Sequence, residues 1–255
     1  MLFSKFQNSN INSENKPMVD LEVEDGLAIV TIDRPHARNA IAPETMDQLE
    51  KVLDAAAGAR ALVIRGAGDK AFVSGGDLKE LAKLRTHEEA ADMARRMRAI
   101  CDRIAEFPAP VVAALNGHAL GGGAEVAVAA DIRIAASDIR IGFNQSSLAI
   151  MPAWGGAERL AALVGRGRGL MLAGAGTILR AEEAERIGLV DRVLPREAFD
   201  EGWRALGRSL ANGSSASIKR VMNGATPAEA VDAFARLWVA DAHWEAAEKV
   251  MNRGR

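Results

Sequence analysis

The chain has 255 residues, 49% of them hydrophobic and 26% charged, enough to bury one large core and too apolar for disorder in bulk. Its 32 Lys and Arg against 34 Asp and Glu give a net charge of −2, which argues against a nucleic acid or an anionic membrane as partner. The single cysteine, Cys101, excludes an intramolecular disulfide and a cysteine-rich metal site, and His36, His87, His118 and His243 have no ligand spacing, so no metal is expected.

Residues 1–17 are polar and rich in Asn and Ser, with neither the apolar core of a secretory signal nor the arginines of a transit peptide, and no later stretch is a continuous apolar span of membrane length. They read as a disordered extension of a cytoplasmic protein. Val19, Leu21 and Val23 then alternate, Asp25-Gly26 signals a hairpin, and Leu27 to Ile32 supplies the return strand. A loop from Asp33 to Ala40 leads into a helix near Pro43, with Met46, Leu49, Val52 and Leu53 on one face. Leu62 to Ile64 is a strand, and the glycine-containing loop Lys70 to Leu81 that follows it opens a helix. Residues 88–107 form the next helix, with Cys101 as a core residue, ahead of a strand over 110–115.

The centre of the chain is Asn116-Gly117-His118-Ala119-Leu120-Gly121-Gly122-Gly123-Ala124-Glu125, between that strand and an alanine-rich helix. Three glycines at a helix start let another molecule approach free N–H groups and the positive dipole end. Glu125 adds a carboxylate within the first turn, a combination suited to carbonyl or thioester chemistry, where a proton moves as charge gathers on oxygen. A tight strand-to-helix turn with a favourable acidic residue accounts for these ten residues equally well. His118 is expected to pack rather than act.

Ile132 to Ile134 and Ile139 to Ile141 follow as short strands about a Ser137-Asp138 turn. The remainder is mostly helical: 157–164, 167–172, a helix starting at Arg180 and ending at Gly188, a short strand over 189–193, then three amphipathic helices at about 196–211, 214–222 and 227–250. Strand-strand-helix units without long βαβ crossovers argue against a Rossmann fold, and the triple glycine is not GxGxxG. Ser146 and Ser147 lack the Gly-x-Ser-x-Gly surroundings of a hydrolase nucleophile.

Taken together, the Lys70–Leu81 loop and the Asn116–Glu125 stretch resemble the two signature segments of the enoyl-CoA hydratase/isomerase (crotonase) family, and the resemblance runs from about Val19 to the C-terminus. It implies an α/β fold, a crotonase-like spiral of strand-strand-helix units over 18–195, and a C-terminal helical trimerisation region over 196–255. The assembly implied is a homotrimer or a dimer of trimers, with Phe234, Leu237 and Trp238 at the contact. The substrate implied is an acyl-CoA, with no cofactor beyond the coenzyme A that the substrate carries. By motif match the backbone N–H groups of Gly76 and Gly122 form an oxyanion hole, and losing one such donor costs about 3–4 kcal/mol in the barrier. His36, Ala37 and Arg38 border the CoA, and Ser74, Asp77 and Leu78 line the substrate side, with Asp77 expected to cap the following helix rather than to act on substrate.

One position departs from the hydratase pattern. Hydratases of this family carry a second glutamate twenty positions after the first, ahead of a Pro-Gly-x-Gly-Gly segment; here Gln145 occupies it, ahead of Pro152-Ala153-Trp154-Gly155-Gly156. Gln can position water but has no acidic proton to exchange at neutral pH. Glu125 would then be left alone as the acid-base group. The implied reaction is hydration of a 2-enoyl-CoA with Gln145 orienting the water. The alternative is decarboxylation of a malonyl-type thioester, whose carboxylate a neutral Gln could hydrogen-bond and which Pro-x-Trp-Gly-Gly also suggests. A double-bond isomerase is less favoured, and a non-catalytic acyl-CoA binder is the remaining reading. Trp154 either walls the acyl pocket or packs, and narrows the space near position 145 in both cases.

Overall fold

The computed structural model describes residues 16–252, so the expected N-terminal extension lies outside the described residues except for Lys16 and Pro17. The chain begins with the hairpin β1 (Val19–Glu24) and β2 (Leu27–Ile32), then α1 (Pro43–Ala55). Three strand-strand-helix turns follow. The first is β3 (Ala61–Gly66), β4 (Ala71–Val73), α2 (Leu78–Leu81) and α3 (His87–Ala105); the second is β5 (Val111–Leu115), β6 (His118–Leu120) and α4 (Gly122–Ala129). The third runs β7 (Ile132–Ala136), β8 (Arg140–Gly142), α5 (Gly156–Val164) and α6 (Arg166–Gly174). Then come β9 (Ile178–Arg180), α7 (Ala181–Arg186), β10 (Arg192–Leu194), α8 (Arg196–Leu210), α9 (Ser215–Met222), α10 (Pro227–Trp238) and α11 (Asp241–Asn252).

Each turn of this spiral gives its first strand to one sheet and its second to another. The larger sheet has the order β1-β2-β3-β5-β7-β10 and the smaller β4-β6-β8-β9. From β2 to β10 the larger sheet is parallel, with Leu62 opposite Val111 and Val112 opposite Ile132. A parallel sheet covered on both faces needs near-continuous apolar strands, and β5 is buried at all five positions. The absence of βαβ crossovers expected from the sequence is therefore incorrect: α1 carries the chain between parallel neighbours β2 and β3, and longer connections join β3 to β5 and β5 to β7. β7 and β8 belong to different sheets, so the Ser137-Asp138 turn redirects the chain between layers rather than closing a hairpin.

Helix α4 is buried along all eight residues, as its Gly, Ala and Val composition requires for a helix enclosed on every side. α8 covers the larger sheet with Phe199 and Trp203, which are buried, so its packing is continuous with the spiral rather than separated from it at residue 195. The helix expected over 227–250 is two, because α10 ends at Trp238 and α11 begins at Asp241. Neither has a buried residue. The terminal strand falls at Arg192–Leu194, three residues later than its apolar signal, since Leu189 and Val190 bury themselves in the turn before it.

Candidate active site

β4 and β6 are parallel neighbours, with Ala71 opposite His118 and Val73 opposite Ala119. Both strands run the same way into loops that open helices, so the Gly76 and Gly122 segments arrive side by side. A methyl group on Gly75 would stand 3.4 Å from the Gly122 nitrogen. Gly76 is bridged to Ile41 through flanking atoms: Ile41 N–H donates to the Gly75 carbonyl and Asp77 N–H to the Ile41 carbonyl, both at 2.8 Å. The Gly76 N–H is thereby left out of the bridge. Gly122 is the first residue of α4, where an N–H has no partner within the helix. Among the described residues, neither N–H donates to a backbone acceptor.

The glycines of the central stretch are demanded mainly by the chain itself. Gly121 has φ +54° and ψ −120°, a conformation that a side chain strains. A methyl group on Gly123 would overlap the Val73 carbonyl oxygen at 1.8 Å, and one on Gly122 would strike the Trp154 ring at 2.2 Å. The expectation that the three glycines exist to admit another molecule is thus corrected in part: what approaches Gly122 and Gly123 on the Cβ side is β4 and an indole.

Glu125 is 2% exposed. Its Oε2 accepts from the N–H of Trp154 at 2.7 Å and of Gly156 at 3.0 Å, and its Oε1 accepts from Gln145 Nε2 at 2.9 Å. Gly156 makes this clamp possible, since a methyl group there would lie 2.3 Å from Glu125 Cγ. Burial raises the Glu125 pKa above the ordinary glutamate value, while the hydrogen bonds from Gly156, Trp154 and Gln145 pull the other way without cancelling it. A carboxylate so placed takes up a proton more readily than a solvated one, which suits it to act as a general base.

Gln145 is buried in a 3-10 turn, Asn144–Leu148. With its Nε2 given to the carboxylate, its Oε1 is buried with no hydrogen-bond partner among the described residues. An ionised carboxylate only accepts, which fixes this orientation of the amide. The open atom is therefore an acceptor, waiting for a donor.

The other expected site residues divide. Arg38 and Ser74 meet, with the Ser74 N–H donating to the Arg38 carbonyl at 3.2 Å, and both line a cavity of about 570 Å³ with Leu120, Lys70, His118 and Arg196. His36 and Ala37 lie in an adjoining 3-10 turn and do not line that cavity, and Leu78 is exposed at the start of α2. Asp77 caps α2 through the Lys79 N–H at 3.1 Å and pairs with Arg34 at 2.9 Å. Burial alone would raise its pKa, but the Arg34 guanidinium and the amides of α2 hold it below the ordinary aspartate value. Asp77 is thus committed to structure rather than open to substrate. His118 is exposed rather than packed, and its Nδ1 accepts from the Arg140 N–H. Cys101 is buried, which pushes its thiol up to about 12 and leaves it inert. Among the described residues no group of three His, Cys, Asp or Glu side chains could hold a metal ion.

Sequence reasoning missed the polar frame beneath the glycine loops. Asn39, fully buried, accepts from Arg34 N–H and donates to the carbonyls of Ala67 and Ala71; Asn116 accepts from Gly66 N–H and donates to the Gly68 and Ala71 carbonyls. Both asparagines converge on Ala71, the first residue of β4. Only the positive φ of Asn39, +56°, suits an Asn in particular, and a dihedral is not written in the sequence.

Residues 22–242 match the family model described as enoyl-CoA hydratase/isomerase. The chain belongs to that family. It is 38% identical over 200 residues to the crotonyl-CoA hydratase of Syntrophomonas wolfei, covering 77% of this chain and 76% of that one. It is 35% identical over 204 residues to the short-chain-enoyl-CoA hydratase of Clostridium acetobutylicum, covering 79% and 78%. Its structure superposes on that of enoyl-CoA hydratase from Thermoplasma volcanium with a TM-score of 0.83 at 32% identity, over 93% of this chain and 99% of the other. In this family member the buried Glu125 carboxylate faces an amide, Gln145.

Proposed function

We propose that the chain adds water across the double bond of a 2-enoyl-CoA thioester. The observation that carries this reading is the opening of two N–H groups without a backbone acceptor, of Gly76 and Gly122, beside Glu125, the one buried carboxylate among the described residues. In this reading the thioester oxygen lies between the two N–H groups and Gln145 Oε1 accepts a hydrogen bond from the attacking water. Glu125 takes the water's other proton as the hydroxyl oxygen bonds to C3. The electron pair of the double bond moves through C2 onto the thioester oxygen, where the two amides and the dipole of α4 stabilise it. Collapse of the enolate then takes the proton from Glu125 to C2. Every proton passes through one carboxyl group, and no cofactor is needed beyond the CoA arm of the substrate. That arm is assigned to the cavity at Arg38 and Ser74.

Decarboxylation of a malonyl-type thioester is less well served. One of the two Gln145 N–H donors is already given to Glu125, and a substrate carboxylate held by the other would face the Glu125 charge. The exposed apolar residues of α10 and α11, with the Phe234 and Trp238 rings tilted against each other at 5.5 Å, support assembly of the chain into trimers through those helices, and the balanced charge supports a cytoplasmic setting. Light scattering on the full chain tests the first.

The reaction is tested by following loss of the conjugated absorbance of crotonyl-CoA. Turnover that vanishes in Glu125→Gln is expected. Tight binding of acyl-CoA with no turnover of any 2-enoyl thioester would refute hydration and leave a binding protein.

A further inference from the structure

We propose that the Trp154 indole closes the acyl end of the site and restricts the enzyme to short 2-enoyl thioesters. This rests on the thioester lying between the amides of Gly76 and Gly122. The far edge of the indole spans those two residues: Cζ2 and Cη2 lie 3.8 and 3.9 Å from the position of a Cβ on Gly76, and Cζ3 and Cη2 lie 2.2 and 2.5 Å from that on Gly122. The ring thus fills the volume that Gly122 leaves open and reaches van der Waals contact with that at Gly76, which Leu81 fills, its Cδ1 being 2.6 Å from the same Cβ position.

The indole is not free to swing aside at low cost. Its backbone N–H is held by the Glu125 carboxylate, its carbonyl accepts from Arg159 Nη1 at 3.3 Å, and the residue is 6% exposed. The hydrogen bond that orients the acid-base group therefore also fixes the backbone from which the wall projects, while burial of the ring resists its rotation. Open space lies in the other direction, in the cavity lined by Arg38, Ser74 and Leu120, which Glu125, Gln145 and Trp154 do not line. A thioester can lay its CoA arm there, whereas a long acyl tail continuing past C3 has to displace packed aromatic surface. Each methylene that a pocket accepts or rejects changes specificity by about 10–200-fold, so a wall this close should produce a sharp cut-off.

Titration calorimetry with butanoyl-CoA and decanoyl-CoA, saturated thioesters that do not react, tests this in the wild type, Trp154→Ala and Trp154→Leu. The wild type should bind butanoyl-CoA more tightly despite its smaller apolar surface. Trp154→Ala should shift the ratio toward decanoyl-CoA by roughly a hundredfold, with Trp154→Leu between. Equal affinity of the wild type for both ligands, or a ratio unmoved in folded variants, would overturn the inference. The wild-type comparison and the leucine variant decide it even where the alanine variant fails to fold. A binding preference without turnover of any enoyl thioester would remove the proposed reaction and leave the wall. Equal kcat/KM for crotonyl-CoA and decenoyl-CoA would remove the wall and leave the reaction.

Discussion

The two ends of the site are built on opposite principles. Around Glu125 the structure is dry and filled: the carboxylate has three hydrogen-bond donors, Trp154 occupies the space over the glycines, and one acceptor, Gln145 Oε1, is left without a partner. Around Arg38 it is open and charged, with Lys70, Arg196, Asp69 and Asp138 lining the same cavity. Low dielectric makes each polar group at the first end worth more, while solvent and salt weaken the second. Substitutions at the dry end should therefore fall on kcat, and those at the wet end on KM.

The sharpest way to break that contrast is Glu125→Gln, which removes the proton carrier and retains a hydrogen-bonding side chain of the same shape. Gln145 can turn its amide so that Oε1 accepts from the new side chain. Activity toward crotonyl-CoA should fall about 10³-fold or more, with a melting temperature no lower than wild type, measured by absorbance and calorimetry. The sign of the second expectation follows from burial. A glutamate whose folded pKa is raised destabilises the fold as pH rises past its unfolded value, and the neutral amide removes that cost.

Gly122→Ala comes next. Its methyl group would force the Trp154 ring from its seat and displace one of the two N–H donors, for an expected loss in kcat of roughly 10²–10³-fold. Asn39→Ala probes the frame below. It leaves the Arg34 N–H and a share of the Ala67 and Ala71 carbonyls unpaired in the interior, so urea denaturation should show a loss of about 1–3 kcal/mol. The smallest effect is expected at the wet end: Arg38→Ala should raise KM by less than about tenfold with kcat unchanged, and added salt should shrink the difference. A fall in kcat there would erase the division between the two ends.

Much of this site was legible because its chemistry sits in contiguous residues. Local pattern brought forward the triple glycine and Glu125 at a strand-to-helix junction, whereas the donor roles of Gly76 and Gly122 and the interest of Gln145 came from the resemblance to the family. What local pattern could not carry was the use of each atom. A string of letters does not say that Gln145 gives its N–H to Glu125, nor that the Trp154 and Gly156 amides clamp the same carboxylate from another loop. The cap at Asp77 was legible, but its ion pair with Arg34, 43 positions away, was not. In the fold, β4, β6 and β9 were missed because three residues carry too little alternation to signal a strand. The break between α10 and α11 falls at Val239-Ala240, where neither proline nor glycine marks it.

The central claim is that one carboxyl group, Glu125, performs all the proton transfer while Gln145 only positions water. The pH dependence of kcat/KM for crotonyl-CoA, in the native chain and in Gln145→Glu, addresses it most directly. The native chain should lose activity through a single acid limb as pH falls past a Glu125 pKa lying above the ordinary glutamate value, because the base must be ionised to accept the water's proton. In Gln145→Glu a second carboxyl beside the first should add another ionisation and move that limb. Two carboxyl ionisations in the native chain, or a native profile without an acid limb, would contradict the account.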